Sequence, residues 1–147
     1  MNAQQTPNET IRYFYQSLRE FQFHFCWNLF SNKSQEEFLK WTLDDIYTRH
    51  QQAARAVKMG LPEVKLMFEG NDPSLVQTFW RRFVQKSEAS DFTQYAYFTT
   101  LEINGGQASV QAKFVYPTGQ ISTANLVALF QRGAWKYAYL ESGLPWQ

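Results

Sequence analysis

The stretch NGGQASVQAKFVYPTGQISTANLVALFQRGAWKYAYL, residues 104–140, carries the clearest structural signal in the chain. Apolar and polar residues alternate through much of it, and this alternation is typical of β-strands. Turn residues interrupt the alternation at 104–106, 117–119 and 132–133, where glycine follows asparagine, threonine or arginine. Short turns of this kind join neighbouring antiparallel strands. The pattern, which begins at Phe92, predicts four strands joined as hairpins, the last of them reaching Leu140.

The second and third predicted strands differ in the number of their apolar faces. In the second strand one face carries Ala108, Val110, Ala112, Phe114 and Tyr116. In the third strand one face carries Ala124, Leu126, Ala128 and Phe130, and the other carries Ile121, Val127 and Leu129. Since soluble monomers rarely expose a large apolar face, we expect helices on one side of the sheet and a second copy of the chain on the other. The predicted homodimer interface is therefore Ile121, Val127 and Leu129.

The chain before residue 31 predicts two helices separated by a bend. Thr6 and Glu9 have the spacing of a capping box, and Pro7 occupies a position that suits a helix start. A buried stripe of Ile11, Phe14, Tyr15 and Leu18 follows. The next apolar residues, Phe23, Cys26, Trp27 and Phe30, fall off this stripe but share a face of their own. A break within residues 19–21 resolves the conflict.

The middle of the chain predicts further helices. A second capping box, Ser34 with Glu37, is expected to open one continuous helix to Val57. Its stripe is Leu39, Leu43, Ile46, His50, Ala53 and Val57. Residues 60–62, Gly-Leu-Pro, end that helix, and residues 63–68 fit a short strand or an irregular run equally well. Asp72 and Pro73 then open another helix that carries Phe79 and Phe83.

Helices followed by a curled antiparallel sheet define an α+β fold with the helices on one side of the sheet. The length of 147 residues suits a single domain, residues 1–147. The first five residues lack any packing signal, and we expect them to be disordered.

Both ends of the chain resemble a known superfamily. The start, TPNETIRYFYQSLREFQFHFCWNLFS (6–31), is a helix leading into a short tryptophan-containing helix and a Leu-Phe-Ser exit. The segments GGQASVQAKFVYPTG (105–119) and ANLVALFQRGAWKYAYLES (124–142) give a strand, a glycine turn, a strand, Gly-Ala-Trp-Lys and a last strand. This order resembles the nuclear transport factor 2-like superfamily. The resemblance implies a cone with a pocket between helices and sheet, found in isomerases, dehydratases, carriers and assembly domains, and pairing through the sheet.

Charge and composition narrow the expected partners and location. The net charge of +1, with acids and bases interspersed, lacks the basic excess that nucleic-acid binding requires, so we expect no nucleic-acid partner. The single cysteine, Cys26, excludes an internal disulfide and suits core packing in a reducing compartment. The start MNAQQTPNET lacks the pattern of a secretory signal, and no apolar segment is long enough to span a bilayer. We therefore expect a cytoplasmic protein.

His50 is the sharpest catalytic candidate in the sequence. A neutral imidazole facing a pocket can act as a general base, as pocket histidines do in enzymes of the superfamily that the chain resembles. The alternative is a buried structural histidine within the helix stripe, and we favour it because no acid is identifiable beside His50. Asp44 and Asp45 point away from the stripe, towards solvent. His24 and Asn28 are expected at the edge of the short second helix, and no pattern of metal ligands is present.

Aromatic residues make up 18% of the chain and suggest a ligand pocket. The predicted lining is Tyr13, Tyr15, Trp27, Tyr47, His50, Phe114, Tyr116 and Tyr137. These side chains suit a flat apolar ligand, and a densely packed core without a cavity explains them equally well. The stretch FWRRF, residues 79–83, predicts an amphipathic helix with a charged outer side.

These observations favour a non-enzymatic module, without a cofactor or metal, that binds a small apolar ligand or a protein partner in or around the cone. One alternative is a cofactor-free isomerase or dehydratase that uses His50. A second alternative is a structural assembly subunit that uses its sheet surface and needs no pocket.

Overall fold

The structure is a computed structural model that describes residues 5–146. Its first helix begins where the sequence predicts. α1 spans Pro7–Arg19. The Thr6 hydroxyl accepts the Glu9 N–H at 3.4 Å, and the Glu9 carboxylate accepts the Thr6 N–H at 3.1 Å, which confirms the capping box. Of the five residues expected to be disordered, all except Gln5 lie outside the described residues.

A bend follows α1 in the predicted place. Gln22 N–H donates to Ser17 O at 2.8 Å, and Phe21 N–H donates to Leu18 O at 3.2 Å. These two bonds form a Schellman motif, which places Phe21 in the left-handed region at φ 60°. α2 then spans Phe23–Leu29 and buries Phe23, Cys26 and Trp27.

The third helix departs from the prediction at both ends. α3 spans Asn32–Arg49, because Ser31 rather than Ser34 accepts the capping bond, from Ser34 N–H at 3.3 Å. Ser34 is buried instead, where its hydroxyl donates to the Glu141 carboxylate at 3.2 Å. The single helix predicted through Val57 is also wrong. The backbone leaves the helical region at His50 (φ −135°, ψ 48°), and α4, Gln51–Ala56, starts after this break.

Residues 61–94 form several helices separated by turns, and the segment that the sequence left open lies in the first of them. α5, Leu61–Glu69, contains residues 63–68, so neither a strand nor an irregular run forms there; Glu63 stabilises its start by accepting the Gly60 N–H at 2.8 Å. The Asp72 carboxylate accepts the Ser74 N–H at 2.9 Å before the next helical turns. A π-helical segment, Val76–Trp80, continues into α6, Arg81–Lys86, and α7 spans Ala89–Gln94.

Four antiparallel strands in the order β1-β2-β3-β4 form the sheet of the described chain, as predicted. Their bounds are β1 Ala96–Asn104, β2 Gln107–Val115, β3 Ile121–Gln131 and β4 Ala134–Tyr137. Phe92 therefore belongs to α7, and the strands begin later than the alternation indicated. The last strand is shorter than predicted, because the chain turns after Tyr137 and its backbone carries Tyr139 into the core.

The helices cover one face of the curled sheet, which confirms an α+β fold. Ala108, Val110, Ala112, Leu126 and Ala128 are buried on this inner face. On the outer face, Ile121 is 55% exposed, whereas Val127 and Leu129 are half-buried. Over residues 5–146, no helix combines the length and the apolar character needed to cross a membrane.

The start of α3 is attached to the end of the sheet. Ser31 N–H donates to Tyr137 O at 2.9 Å, which continues β4 with a short parallel bridge between Phe30 and Tyr137. The Ser31 hydroxyl lies 3.0 Å from both Glu141 oxygens. Ser31 and Ser34, at the start of α3, therefore share one hydrogen-bond network with Glu141, in the segment after β4.

Candidate functional site

Tyr15 and Tyr137 are two predicted pocket residues that the structure joins by a hydrogen bond. Their phenolic oxygens lie 2.7 Å apart, and both side chains are buried. Burial raises the pKa of each phenol well above its usual value, so both stay neutral at physiological pH. The ring of Phe14 packs edge-on against both. The pair belongs to a filled core.

Each of the other predicted aromatic pocket residues contacts a different neighbour. Trp27 stacks on Phe68 with ring centroids 4.0 Å apart. Tyr47 donates its hydroxyl hydrogen bond to Met59 O at 2.8 Å. The remaining rings also pair with neighbours: Tyr13 with Phe25, Phe114 with Phe92 and Tyr116 with Tyr95. The aromatic side chains contact one another, and the structure does not gather these eight residues around one space.

His50 lies on the surface, and the burial predicted for it is wrong. The helix break at His50 removes it from the stripe of α3 and leaves its side chain exposed. No hydrogen bond or ion pair joins its imidazole to another side chain among residues 5–146. The nearby carboxylate of Asp45, five residues before His50, instead accepts a hydrogen bond from Arg49 Nε at 2.9 Å. His50 therefore has no described partner that would tune it as a base.

The cysteine and the second histidine occupy unreactive surroundings. Cys26 is buried, its sulfur lies 3.6 Å from Phe14 O, and burial raises the pKa of the thiol, which disfavours the nucleophilic thiolate. His24 is half-buried beside Phe25. Asn28 is exposed, and its backbone oxygen accepts Lys136 Nζ at 2.9 Å. Within the described part of the chain, no three histidine, cysteine or carboxylate side chains are grouped so as to hold a metal ion.

An apolar groove opens on the helical surface, and we name it the Phe21 groove. Its lining residues are Phe21, Phe23, Val76, Trp80, Arg81, Val84 and Gln85. The groove encloses about 410 Å³. Phe23 and Trp80 stack with ring centroids 5.1 Å apart and form its floor, and the π-helical segment forms one wall. Arg81 and Gln85 supply its polar groups.

Phe21 combines a left-handed backbone, which four other described non-glycine residues share, with an exposed aromatic side chain. Its position after α1 has the left-handed conformation that helices usually assign to glycine, since a Cβ is crowded there. Its ring is 73% exposed and lies 6.0 Å from the ring of Phe23. Backbone strain and an exposed aromatic ring both cost stability in the isolated chain. A π-helical segment beside the same groove is a second feature that often marks functional sites.

The sequence contained a signal for this groove that the prediction did not use. The bend at residues 19–21 has no glycine, so a residue with a side chain had to occupy the left-handed position. The π-helical turn depends on packing and has no comparable sequence signal.

Comparison with protein-family models, curated proteins and solved structures gives no match to this chain. The functional conclusion therefore depends on its own geometry.

Proposed function

We propose that this chain is a non-enzymatic protein-binding module with a nuclear transport factor 2-like architecture, and that it binds its partner through the Phe21 groove. The order of elements supports the architecture, since N-terminal helices precede a curled sheet of four antiparallel strands. The groove supports the activity, because it joins exposed aromatic surface to a defined concavity.

The exposed ring of Phe21 in the left-handed position is the observation that carries the proposal. Burying a phenylalanine side chain contributes roughly 1.5–3 kcal/mol relative to leaving it in water. In the isolated chain this ring gains little of that free energy, because 73% of it stays exposed. A partner that covers it gains most of the remainder without rearranging the chain, since the Schellman bonds already hold Phe21 in place.

The composition of the groove favours a protein partner. Aromatic and arginine side chains are the residues that contribute most to protein–protein binding. The stacked rings of Phe23 and Trp80 provide a floor for an apolar side chain, and Arg81 provides an exposed cation at the rim. We therefore propose a partner segment that presents an apolar anchor next to an acidic residue.

The earlier alternatives have less support. A small apolar ligand inside the cone needs space among rings that already pair with one another. An isomerase or dehydratase that uses His50 needs a second ionisable group, and His50 has none in contact among the described residues. The assembly subunit and the homodimer stay predictions, and they depend on the outer sheet face.

Site-specific photo-cross-linking tests the proposal. A benzoylphenylalanine replaces Phe21 in one variant and Leu66, which is 66% exposed on α5, in a control. In cells that produce the protein, we expect position 21 to give one discrete cross-linked species that position 66 does not give. The Val84→Asp substitution, which places a charge in the groove, should abolish that species. Equal products at both positions, or no product at position 21, would contradict the proposal.

A further inference from the structure

We propose a second binding site, for a small planar aromatic molecule that carries one carboxylate, in a cleft between α1, α7 and β1. We name it the α1–β1 cleft, and it encloses about 450 Å³, within the range of small-molecule sites. Its lining residues are Arg12, Tyr15, Gln16, Arg19, Glu20, Phe92, Thr93, Ala96, Tyr97 and Phe98. None of these residues lines the Phe21 groove, so the two sites are separate.

Three parallel rings form the floor of the cleft. The centroid of Tyr15 lies 4.4 Å from that of Phe92 and 5.9 Å from that of Phe98, with interplanar angles of 0° and 5°. Phe98 is half-buried, and it offers part of its ring to the cleft. Tyr15 and Phe92 are themselves buried, and the Tyr15 hydroxyl is engaged with Tyr137, so the half-buried ring of Phe98 supplies the part of this floor that is open to a ligand. A flat apolar body matches this floor, since aromatic rings prefer offset-stacked or edge contacts.

One wall of the cleft carries the positive charge. Arg12, Gln16 and Arg19 follow one another at spacings of four and three residues, so they share one face of α1. Both arginines are exposed, and neither forms an ion pair within residues 5–146. A guanidinium group binds a carboxylate through two parallel hydrogen bonds. Arginine at this wall therefore selects a ligand with a carboxylate at one end.

The acidic residues near this wall leave it positive. Glu20 is the one acid among the lining residues, against two arginines. Glu9 lies close to Arg12, and its carboxylate accepts hydrogen bonds from Thr6. These hydrogen bonds lower the pKa of the Glu9 carboxyl, and Arg12 lowers it to a smaller extent. The Thr6 hydroxyl lies 2.7 Å from the Glu9 carboxylate and hydrogen-bonds to it, which keeps this carboxylate at the start of α1.

The opposite wall offers few free polar groups. The Thr93 hydroxyl donates to Ser90 O at 3.0 Å and is therefore not available as a donor to a ligand. Tyr97, which is 67% exposed, adds one hydroxyl to the lining, and a single such group is too few to recognise the several hydroxyl groups of a sugar. The cleft therefore matches a ligand that places one anionic group at α1 and an apolar ring over the floor.

A matched pair of ligands tests the site. Naphthalene-2-carboxylate carries the proposed ring and charge, and naphthalene-2-carboxamide keeps the ring without the charge. We expect the carboxylate to bind about fivefold more tightly in an NMR titration, as an exposed ion pair allows. The chemical-shift changes of the protein's backbone amides should be centred on α1, α7 and the start of β1.

Charge-removing variants complete the test. Arg12→Gln/Arg19→Gln should abolish the preference for the carboxylate and leave carboxamide binding unchanged. Arg55→Gln, at an exposed position of α4, should change neither affinity. Phe21→Gly should also keep the preference, because the Phe21 groove is separate. Equal binding of the two ligands by the unmodified protein, no binding of either, or shifts centred on the Phe21 groove would each overturn the proposal.

Discussion

The phenolic oxygens of Tyr15 and Tyr137 lie 2.7 Å apart inside the core and join the first helix to the last strand. Only one of the two hydroxyls can donate to the other, so a single hydrogen bond links residues that are 122 positions apart in the sequence. Because buried polar groups are costly when unpaired, each tyrosine makes the other tolerable in an apolar site. The pair therefore specifies how α1 sits on the sheet.

Removing one hydroxyl of this pair should cost more than removing both. We expect Tyr15→Phe or Tyr137→Phe alone to destabilise the fold by about 1–2 kcal/mol, because each leaves a buried hydroxyl without its partner. The double variant, which leaves no unpaired hydroxyl, should lose less than either single variant. Urea unfolding of all four proteins gives the coupling free energy. Additive losses would show that the hydrogen bond contributes nothing.

The buried tyrosines should make the fold sensitive to alkali. Burial raises the pKa of Tyr15 and Tyr137 well above the usual value, and it also raises the pKa of Tyr139. The unfolded chain, whose tyrosines titrate near 10, therefore loses protons first. Their contribution to stability is complete below about pH 10 and falls above it, by about 1.4 kcal/mol per pH unit for each tyrosine.

Urea unfolding across this pH range measures the slope. In the Tyr15→Phe/Tyr137→Phe variant the slope should be smaller by two tyrosine equivalents. An unchanged slope would mean that these two phenols ionise as readily in the folded chain as in the unfolded chain.

Phe21→Gly should stabilise the isolated chain and weaken partner binding at the same time. Glycine relieves the left-handed strain, which amounts to about 1 kcal/mol, and the lost ring was mostly exposed. Phe21→Ala is the matched control, since it removes the ring and keeps a Cβ in the strained position. Thermal unfolding should therefore rank glycine above alanine, and photo-cross-linking from a second groove position, Val84, should fall in both. Equal stability of the two variants would contradict the assigned strain.

His50→Ala should have little effect on stability. An exposed side chain without a hydrogen bond contributes within about 0.5 kcal/mol, so the larger loss expected of a buried histidine does not apply. Chemical denaturation of the variant measures this directly. A loss above about 1.5 kcal/mol would show a contact that the structure lacks.

The predicted homodimer can be tested at Ile121, the most exposed residue of the proposed interface. Ile121→Glu should shift sedimentation towards the monomer, since a buried charge without a partner opposes association. Val57→Glu is the control, because Val57 is 63% exposed but lies just after α4, away from the sheet. A monomer at micromolar concentration before any substitution would end the dimer hypothesis.

Local rules of sequence predicted the features that depend on neighbouring residues. The box of Thr6 and Glu9, the bend before Phe23 and the alternation of buried residues from Ala108 to Phe114 were all readable, because each involves residues a few positions apart. These features fixed the α+β class and the inner face of the sheet.

Features that depend on distant contacts were not readable. The Ser34 hydroxyl donates to Glu141, 107 residues later, whereas the capping bond of α3 is accepted by Ser31. The break at His50 removed the catalytic candidate from the core although the apolar spacing continued past it. The two proposed sites also arise from packing, since each gathers residues from separate helices or strands.

The network that joins Ser31 and Ser34 to Glu141 has a consequence for synthesis of the protein. Translation produces the helices first, and their apolar stripes have no sheet to cover them until β4 and Glu141 leave the ribosome. Contacts of such long sequence separation also slow folding. The helices therefore leave the ribosome before the strands that bury their aromatic side chains in the folded protein.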